Sequence, residues 1–141
     1  MRLLIVAGAF VLLNANCWAA SLPANHPIIG TWVIQVPGTR CSETYTFKED
    51  GTKVAKSADE VGESTFVVSA TPSPAGYYKL TDTVVASNGK LDCSFQSTPV
   101  GDTVSVFLRF EQSANAFSFC PREAPESCIG PFKRISGQAS P

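Results

Sequence analysis

Residues 28–56 read IIGTWVIQVPGTRCSETYTFKEDGTKVAK, and this stretch decides the fold class. Short runs rich in β-branched and aromatic residues alternate here with turn signals. Pro37-Gly38 ends the first run, and Glu49-Asp50-Gly51 separates the second run from the third. An Asp-Gly pair between two such runs is a strong hairpin signal, and β-branched and aromatic side chains suit the pleated surface of a sheet. The stretch therefore predicts three consecutive antiparallel strands.

The same alternation continues to residue 135 and predicts nine strands in all. Their bounds are 28–36, 42–48, 52–56, 64–70, 77–85, 91–96, 103–110, 116–120 and 129–135. This spacing is typical of a barrel or sandwich, and sequential hairpins favour an up-and-down meander that closes to remove its exposed edges. We predict an all-β fold: a small antiparallel up-and-down β-barrel of about eight to nine strands.

Alternation along the runs indicates which side chains point into the barrel. Val54 belongs to the inward series of the third run, and seven inward aromatic residues are the candidates for lining a ligand site. These are Trp32, Tyr45, Phe47, Phe66, Tyr78, Phe95 and Phe117. An eight-stranded barrel has an interior that side chains just fill or that holds one small ligand. Two interpretations therefore stay open, a packed aromatic core and a small apolar pocket at one mouth.

The N-terminus predicts export. Arg2 is followed by the apolar run 3–13 and a small-residue exit, which is typical of a secretory signal peptide. Cleavage after Ala19 is favoured, and cleavage after Ala20 would place a bulky residue at the −3 position. A retained N-terminal anchor or a lipid anchor at Cys17 is the alternative, and no later segment is apolar enough to span a bilayer. The expected parts are a signal peptide (1–19), an N-terminal arm (20–27), the barrel (28–135) and a C-terminal tail (136–141), in a periplasmic or secreted protein.

Four cysteines remain after the signal, and an even number in an exported domain implies two disulfides. They are Cys41, Cys93, Cys120 and Cys128. Nine alternating strands would place the first two at one end of the barrel and the last two at the other, and bridged Cα atoms lie within about 7 Å. The predicted pairs are therefore Cys41–Cys93 and Cys120–Cys128. Because the gaps form no Cys-x-x-Cys pair and the chain has one histidine, no metal site and no cofactor are predicted.

Charge and polar residues argue against several functions. The chain has 11 Lys and Arg and 12 Asp and Glu residues, and removal of Arg2 leaves a net charge of about −2, which disfavours nucleic acid as a partner. His26 lies in the arm, where we expect it to be solvated, so no catalytic residue is predicted and the protein is not expected to be an enzyme. Asp82 shares the inward parity of Tyr78, and if buried it needs a partner. Arg109 alternates outward.

Three short segments carry a resemblance to a known family: Gly30-Thr31-Trp32, Tyr45-Thr46-Phe47 and Asp50-Gly51-Thr52. In this order they resemble the lipocalin-like domains of exported bacterial proteins. The resemblance covers residues 28–57 and extends to 129–135. It implies that Trp32 closes one end of the barrel and that Arg134 packs across its ring. The chain is short for a lipocalin and lacks an evident C-terminal helix, which argues against a large cavity.

The resemblance implies an exported binding protein for a small apolar ligand. The alternative is a secreted or periplasmic inhibitor or protein-interaction module. A second group on this architecture, the periplasmic inhibitors of secreted metalloproteases, inserts an N-terminal arm into the protease cleft, and residues 21–25 resemble that layout. The expected partner is thus a small apolar molecule or another protein.

Overall fold

The computed structural model describes Leu22 and residues 25–135. Eight antiparallel strands close into a barrel in up-and-down order, and the last strand pairs with the first. The strands are β1 (Gly30–Gln35), β2 (Ser42–Phe47), β3 (Thr52–Ser57), β4 (Glu60–Val68), β5 (Tyr78–Ser87), β6 (Thr103–Phe110), β7 (Ala116–Cys120) and β8 (Ile129–Arg134), with a 3₁₀ turn at Pro125–Ser127. The predicted all-β up-and-down barrel is confirmed. The predicted signal peptide and C-terminal tail lie outside the described residues.

Residues 91–96, the sixth predicted strand, form a turn instead. The Asp92 carboxylate accepts hydrogen bonds from the N–H groups of Ser94 and Gln96 at 2.7 and 2.9 Å, and Phe95 has a φ of 61°. An aspartate that binds its own following backbone competes with the ladder of a sheet. The prediction that Phe95 points into the barrel is therefore wrong, and its side chain is 83% exposed.

Both predicted disulfides are present, Cys41–Cys93 and Cys120–Cys128, with Cα atoms 5.7 and 4.0 Å apart. Their predicted placement at opposite ends is wrong. With eight strands, β7 runs in the same direction as β1, so Cys120 and Cys41 lie at the same end of the barrel. The predicted pairing is nevertheless correct, because Cys93 lies in the connection after β5, at the same end of the barrel as Cys41. We call this the disulfide end and the opposite one the aromatic end.

The aromatic end of the interior is filled by side chains. The buried core consists of Ile28, Trp32, Ile34, Phe47, Phe66, Val68, Leu80, Leu108, Phe117 and Phe132. Trp32 is fully buried, its indole N–H donates to the carbonyl oxygen of Ile28 at 2.7 Å, and its ring meets that of Phe117 edge to face at 4.8 Å between centroids. The packed-core interpretation is therefore confirmed for this half of the barrel.

The position of the Arg134 side chain explains why the Gly30-x-Trp32 pattern has glycine at residue 30. The guanidinium carbon of Arg134 lies 4.1 Å from the centroid of the Trp32 ring, and the group donates to the carbonyl oxygens of Ile29 and Pro27, each at 2.7 Å. Gly30 has a φ of 126°, and a Cβ there would lie 2.5 Å from Nη1 of Arg134. Glycine therefore permits both the backbone conformation and the approach of the guanidinium. The Trp32–Arg134 contact that the resemblance implies is confirmed.

His26 is buried at the aromatic end, where its side chain is 4% exposed. Its Nδ1 accepts a hydrogen bond from the N–H of Ile28 at 3.2 Å, so Nε2 is the donor to the carbonyl oxygen of Ser69 at 3.2 Å. Leu22 packs against the same core. The prediction of a solvated His26 is wrong because residues 25–29 fold across the barrel end rather than extending from it.

Burial lowers the pKa of His26 below its ordinary value of 6.5. At a pH between the folded pKa and 6.5, His26 is protonated in the unfolded chain and neutral in the folded chain. The stability that the neutral, buried imidazole contributes is therefore complete above pH 6.5 and is lost as the pH falls through the folded pKa. We expect the melting temperature to fall between about pH 7.5 and about pH 5.5, and to fall less in His26→Asn, because the asparagine amide is a polar replacement that does not bind a proton in this range. Thermal denaturation followed by circular dichroism measures both slopes, and equal slopes would contradict the prediction.

Candidate binding pocket

The disulfide end of the barrel contains a pocket of about 490 Å³. Strands β2 to β6 and the β5–β6 connection line it, and apolar surface comes from Tyr45, Ala55, Val84 and Val104. Its charged lining consists of one ammonium, Lys53, and five carboxylates: Glu43, Glu60, Asp82, Asp92 and Asp102. The volume lies within the range of small-molecule sites in proteins.

The register of β2 and β3 places Lys53 inside the barrel. Directly paired residues of adjacent antiparallel strands point to the same face, and Phe47 pairs with Lys53 while Tyr45 pairs with Ala55. Because Phe47 and Tyr45 point inward, Lys53 and Ala55 do so as well. The prediction that Val54 points inward is therefore wrong. The signal that identifies Lys53 is this pairing across the hairpin, since β3 itself shows no clear alternation of apolar residues.

Asp82 points inward from β5, as its parity indicates, and Lys53 is the partner it requires. The two side chains are 6% and 10% exposed, and Nζ of Lys53 donates to Oδ2 of Asp82. The other oxygen, Oδ1, is buried and has no hydrogen-bond partner among the described residues. A buried acceptor without a partner costs about 1–3 kcal/mol. The pocket wall thus carries a fixed carboxylate, and one of its oxygens is enclosed by protein without a donor among the described residues.

Glu43 organises the wall beside this ion pair. Its carboxylate accepts hydrogen bonds from the hydroxyl groups of Tyr45 at 2.6 Å and Ser57 at 2.7 Å. The Ser57 hydroxyl oxygen accepts a bond from the N–H of Cys93 at 2.9 Å, which ties the wall to a disulfide. Burial, the bond to Glu43 and the charges of neighbouring carboxylates raise the pKa of Tyr45 well above its ordinary value. The hydroxyl therefore stays protonated in a site of negative potential.

The rim of the pocket is formed in part by the long β5–β6 connection. The Glu60 carboxylate accepts bonds from the backbone N–H and the hydroxyl of Thr98 at 2.5 and 3.2 Å, which holds this connection against β4. Asp92 caps the turn that contains Cys93, and the Asp102 side chain is exposed at the rim. Each carboxylate except the exposed one is thus fixed in place by protein hydrogen bonds.

The seven aromatic residues that the sequence predicts as candidates for lining a ligand site lie in different parts of the structure. Tyr45 alone of the seven lines the pocket. Trp32, Phe47, Phe66 and Phe117 are buried in the aromatic end with Tyr78 packed against them, and Phe95 is exposed. Sequence reasoning identified Asp82 as a possible interior group. It interpreted Glu60 and Asp102 as solvated loop charges and did not single out Lys53, Glu43 or Asp92.

Comparisons of the chain with protein-family models, with curated proteins and with solved structures gave no match. The closed eight-stranded antiparallel barrel is compatible with the lipocalin-like resemblance, and membership of that group stays a prediction. Within Leu22 and residues 25–135, no helix is long and apolar enough to cross a membrane. Across the same residues, no group of three or more His, Cys, Asp or Glu side chains is arranged to hold a metal ion.

Proposed function

We propose that the chain is an exported binding protein that holds a small molecule in the pocket at the disulfide end and has no catalytic activity of its own. The pocket itself carries the proposal, because about 490 Å³ stay unfilled in a barrel whose other half is densely packed. Unfilled interior space costs stability. Ligand binding is the best explanation of why a small domain keeps such a space. The two disulfides suit an oxidising compartment.

The lining favours a ligand with a polar group as well as an apolar body. Tyr45, Ala55, Val84 and Val104 offer apolar surface, whereas most of the remaining wall carries charged and hydroxyl side chains. A purely apolar molecule, the ligand that the sequence indicates, would leave these polar groups desolvated and without partners. The carboxylate of a fatty acid would meet five carboxylates of the same charge.

Gly62 provides a direct test of the pocket. It pairs with Ala55 and therefore lies on the inward face of β4, and a Cβ there would meet its nearest neighbour, the carbonyl oxygen of Ala86, at 3.8 Å. We expect Gly62→Leu to fold with a melting temperature at or above that of the wild type, because glycine weakens a strand interior. We also expect it to lose the ligands that a mixed fragment screen by ¹H–¹⁵N NMR finds for the wild type.

Thr65→Leu is the matched control, because residue 65 is exposed on the outer face of the same strand. This variant should bind the same fragments as the wild type. A folded Gly62→Leu protein with undiminished fragment binding would contradict the proposal. A screen in which no fragment shifts the amide signals of pocket residues in the wild type would do so as well.

A protein-interaction role is the second candidate, and Phe95 is the observation that favours it. The Asp92 cap and the Cys41–Cys93 bridge hold the turn that presents this exposed ring, and a preorganised contact loses less entropy on binding. The two roles respond to different variants. A partner held by the turn would be lost in Phe95→Ala and kept in Gly62→Leu, and a pocket ligand would show the reverse.

A further inference from the structure

We infer that residues 25–29, which close the aromatic end of the barrel, form a pH-dependent latch that opens locally when His26 is protonated. We call these residues the closing segment. Neither the pocket at the disulfide end nor its ligand takes part in this latch. The opening is local because the strands of the barrel stay paired while the closing segment moves away from them.

The closing segment is held to the barrel by its own carbonyl groups and by one apolar side chain. Ile28 is fully buried in the core, and its carbonyl oxygen accepts a bond from the indole N–H of Trp32 at 2.7 Å. The carbonyl oxygens of Pro27 and Ile29 accept bonds from the guanidinium of Arg134. The segment precedes β1 and belongs to no strand. It can therefore open at a lower cost than the strands, which are joined to neighbours on both sides.

His26 ties the closing segment to the connection between β4 and β5, and it does so only as a neutral ring. The imidazole is 4% exposed and meets the ring of Tyr78 edge to face, with 4.9 Å between centroids. Its Nε2 donates to the carbonyl oxygen of Ser69, and its Nδ1 accepts from the N–H of Ile28, each at 3.2 Å. A nitrogen that carries a proton cannot accept. Protonation of Nδ1 would place two donors face to face in a buried site.

The surroundings of His26 do not stabilise an imidazolium. Among the described residues, no carboxylate forms a hydrogen bond or ion pair with the ring. The charged groups on the elements packed against it are cations: Arg134 of β8 donates to the carbonyl oxygen of the next residue, and Lys79 of β5 pairs with Ser69 through the backbone. The remaining titratable neighbour is the phenol of Tyr78. Burial lowers the pKa of His26, and the bond to Ser69 offsets only part of this effect.

Acid should therefore increase the population of the open segment. In the open state the ring returns to water and regains its ordinary pKa of 6.5. At a pH below 6.5 and above the folded pKa, each pH unit raises the ratio of open to closed segments by up to about tenfold. His26 is the only histidine of the chain, so no other imidazole can give this response.

Native-state hydrogen exchange measured by NMR tests the latch, because His26 itself accepts the amides of Ile28 and Ile29. We expect the protection factors of these two amides to fall about three- to tenfold between pH 7.5 and pH 5.5. They should lie below those of the β5 ladder and respond weakly to low concentrations of urea, since local opening exposes little surface. Protection of Ile28 that equals that of β5 in size and urea dependence would overturn the inference, because it would show that the segment opens only in global unfolding.

Two variants assign the pH response to His26. In His26→Asn the protection of the Ile28 amide should no longer depend on pH, because the asparagine side chain does not titrate. Glu111→Gln removes a carboxylate at the same end of the barrel and should keep the wild-type response. In the wild type itself, the imidazole ¹⁵N signals of His26 should titrate over the same pH range as the protection of Ile28. A pH response that persists in His26→Asn or is lost in Glu111→Gln would overturn the inference, as would different pH ranges for the two wild-type measurements.

Discussion

Trp32→Ala should lower the free energy of unfolding by about 3–5 kcal/mol, the cost of truncating a large buried aromatic side chain. The ring is fully buried and packs on Phe117, so the variant loses transfer free energy and leaves a cavity in a dense region. It also frees the carbonyl oxygen of Ile28 from its indole donor and removes the ring on which Arg134 lies. Urea denaturation followed by far-ultraviolet circular dichroism measures the change.

Phe95→Ala is the matched control for this truncation. Phe95 is also a large aromatic residue, but its side chain is 83% exposed, and surface substitutions usually stay within about 0.5 kcal/mol. A Trp32→Ala protein as stable as Phe95→Ala would mean that the aromatic end is not the packed core of the domain.

Removing either partner of the Lys53–Asp82 ion pair should lower the free energy of unfolding by about as much as Trp32→Ala does. Lys53→Met leaves a buried carboxylate without its cation, and Asp82→Leu leaves a buried ammonium without its anion, and each is expected to cost about 3–5 kcal/mol. The side chains are only 10% and 6% exposed, so water does little to compensate either charge. The double variant replaces both charges with apolar groups and should recover most of the loss.

A double-mutant cycle of the four proteins measures this coupling by urea denaturation. The expected sign is clear: the double variant should be more stable than either single variant. Single variants that each cost less than about 1 kcal/mol would show that the pair behaves as a hydrated surface ion pair.

Local sequence signals predicted much of the aromatic end. The Asp50-Gly51 hairpin and the alternation in β1 and β2 lead directly to the strands observed there. Trp32 and Arg134, 102 positions apart, were matched through the resemblance, and the structure shows the contact. His26 was missed because its burial depends on a loop that carries Ser69, and no local pattern in residues 25–29 indicates that loop.

The pocket was harder to predict because its residues depend on pairing between strands. Lys53 points inward only through the register of β3 against β2, and a shift of one residue would exchange it with Val54. Carboxylates such as Glu60 and Asp92 flank turns, where solvation is the usual outcome. They line a pocket here because the β5–β6 connection is held over the barrel mouth by Thr98 and by the bridge to Cys93.

The sequence by itself determined the fold class and predicted all eight strands, with one false strand at 91–96, because hairpin turns and alternation are local properties. It also predicted both disulfide pairs, although the placement of the two pairs at opposite ends of the barrel was wrong. Export stays a prediction from residues 1–19. The tertiary structure alone decided that 91–96 is a turn, that Lys53 meets Asp82, and that one half of the interior stays open. The physical reason is that side-chain facing repeats every two residues, so it follows from strand register and closure of the barrel, which no single segment of the chain encodes.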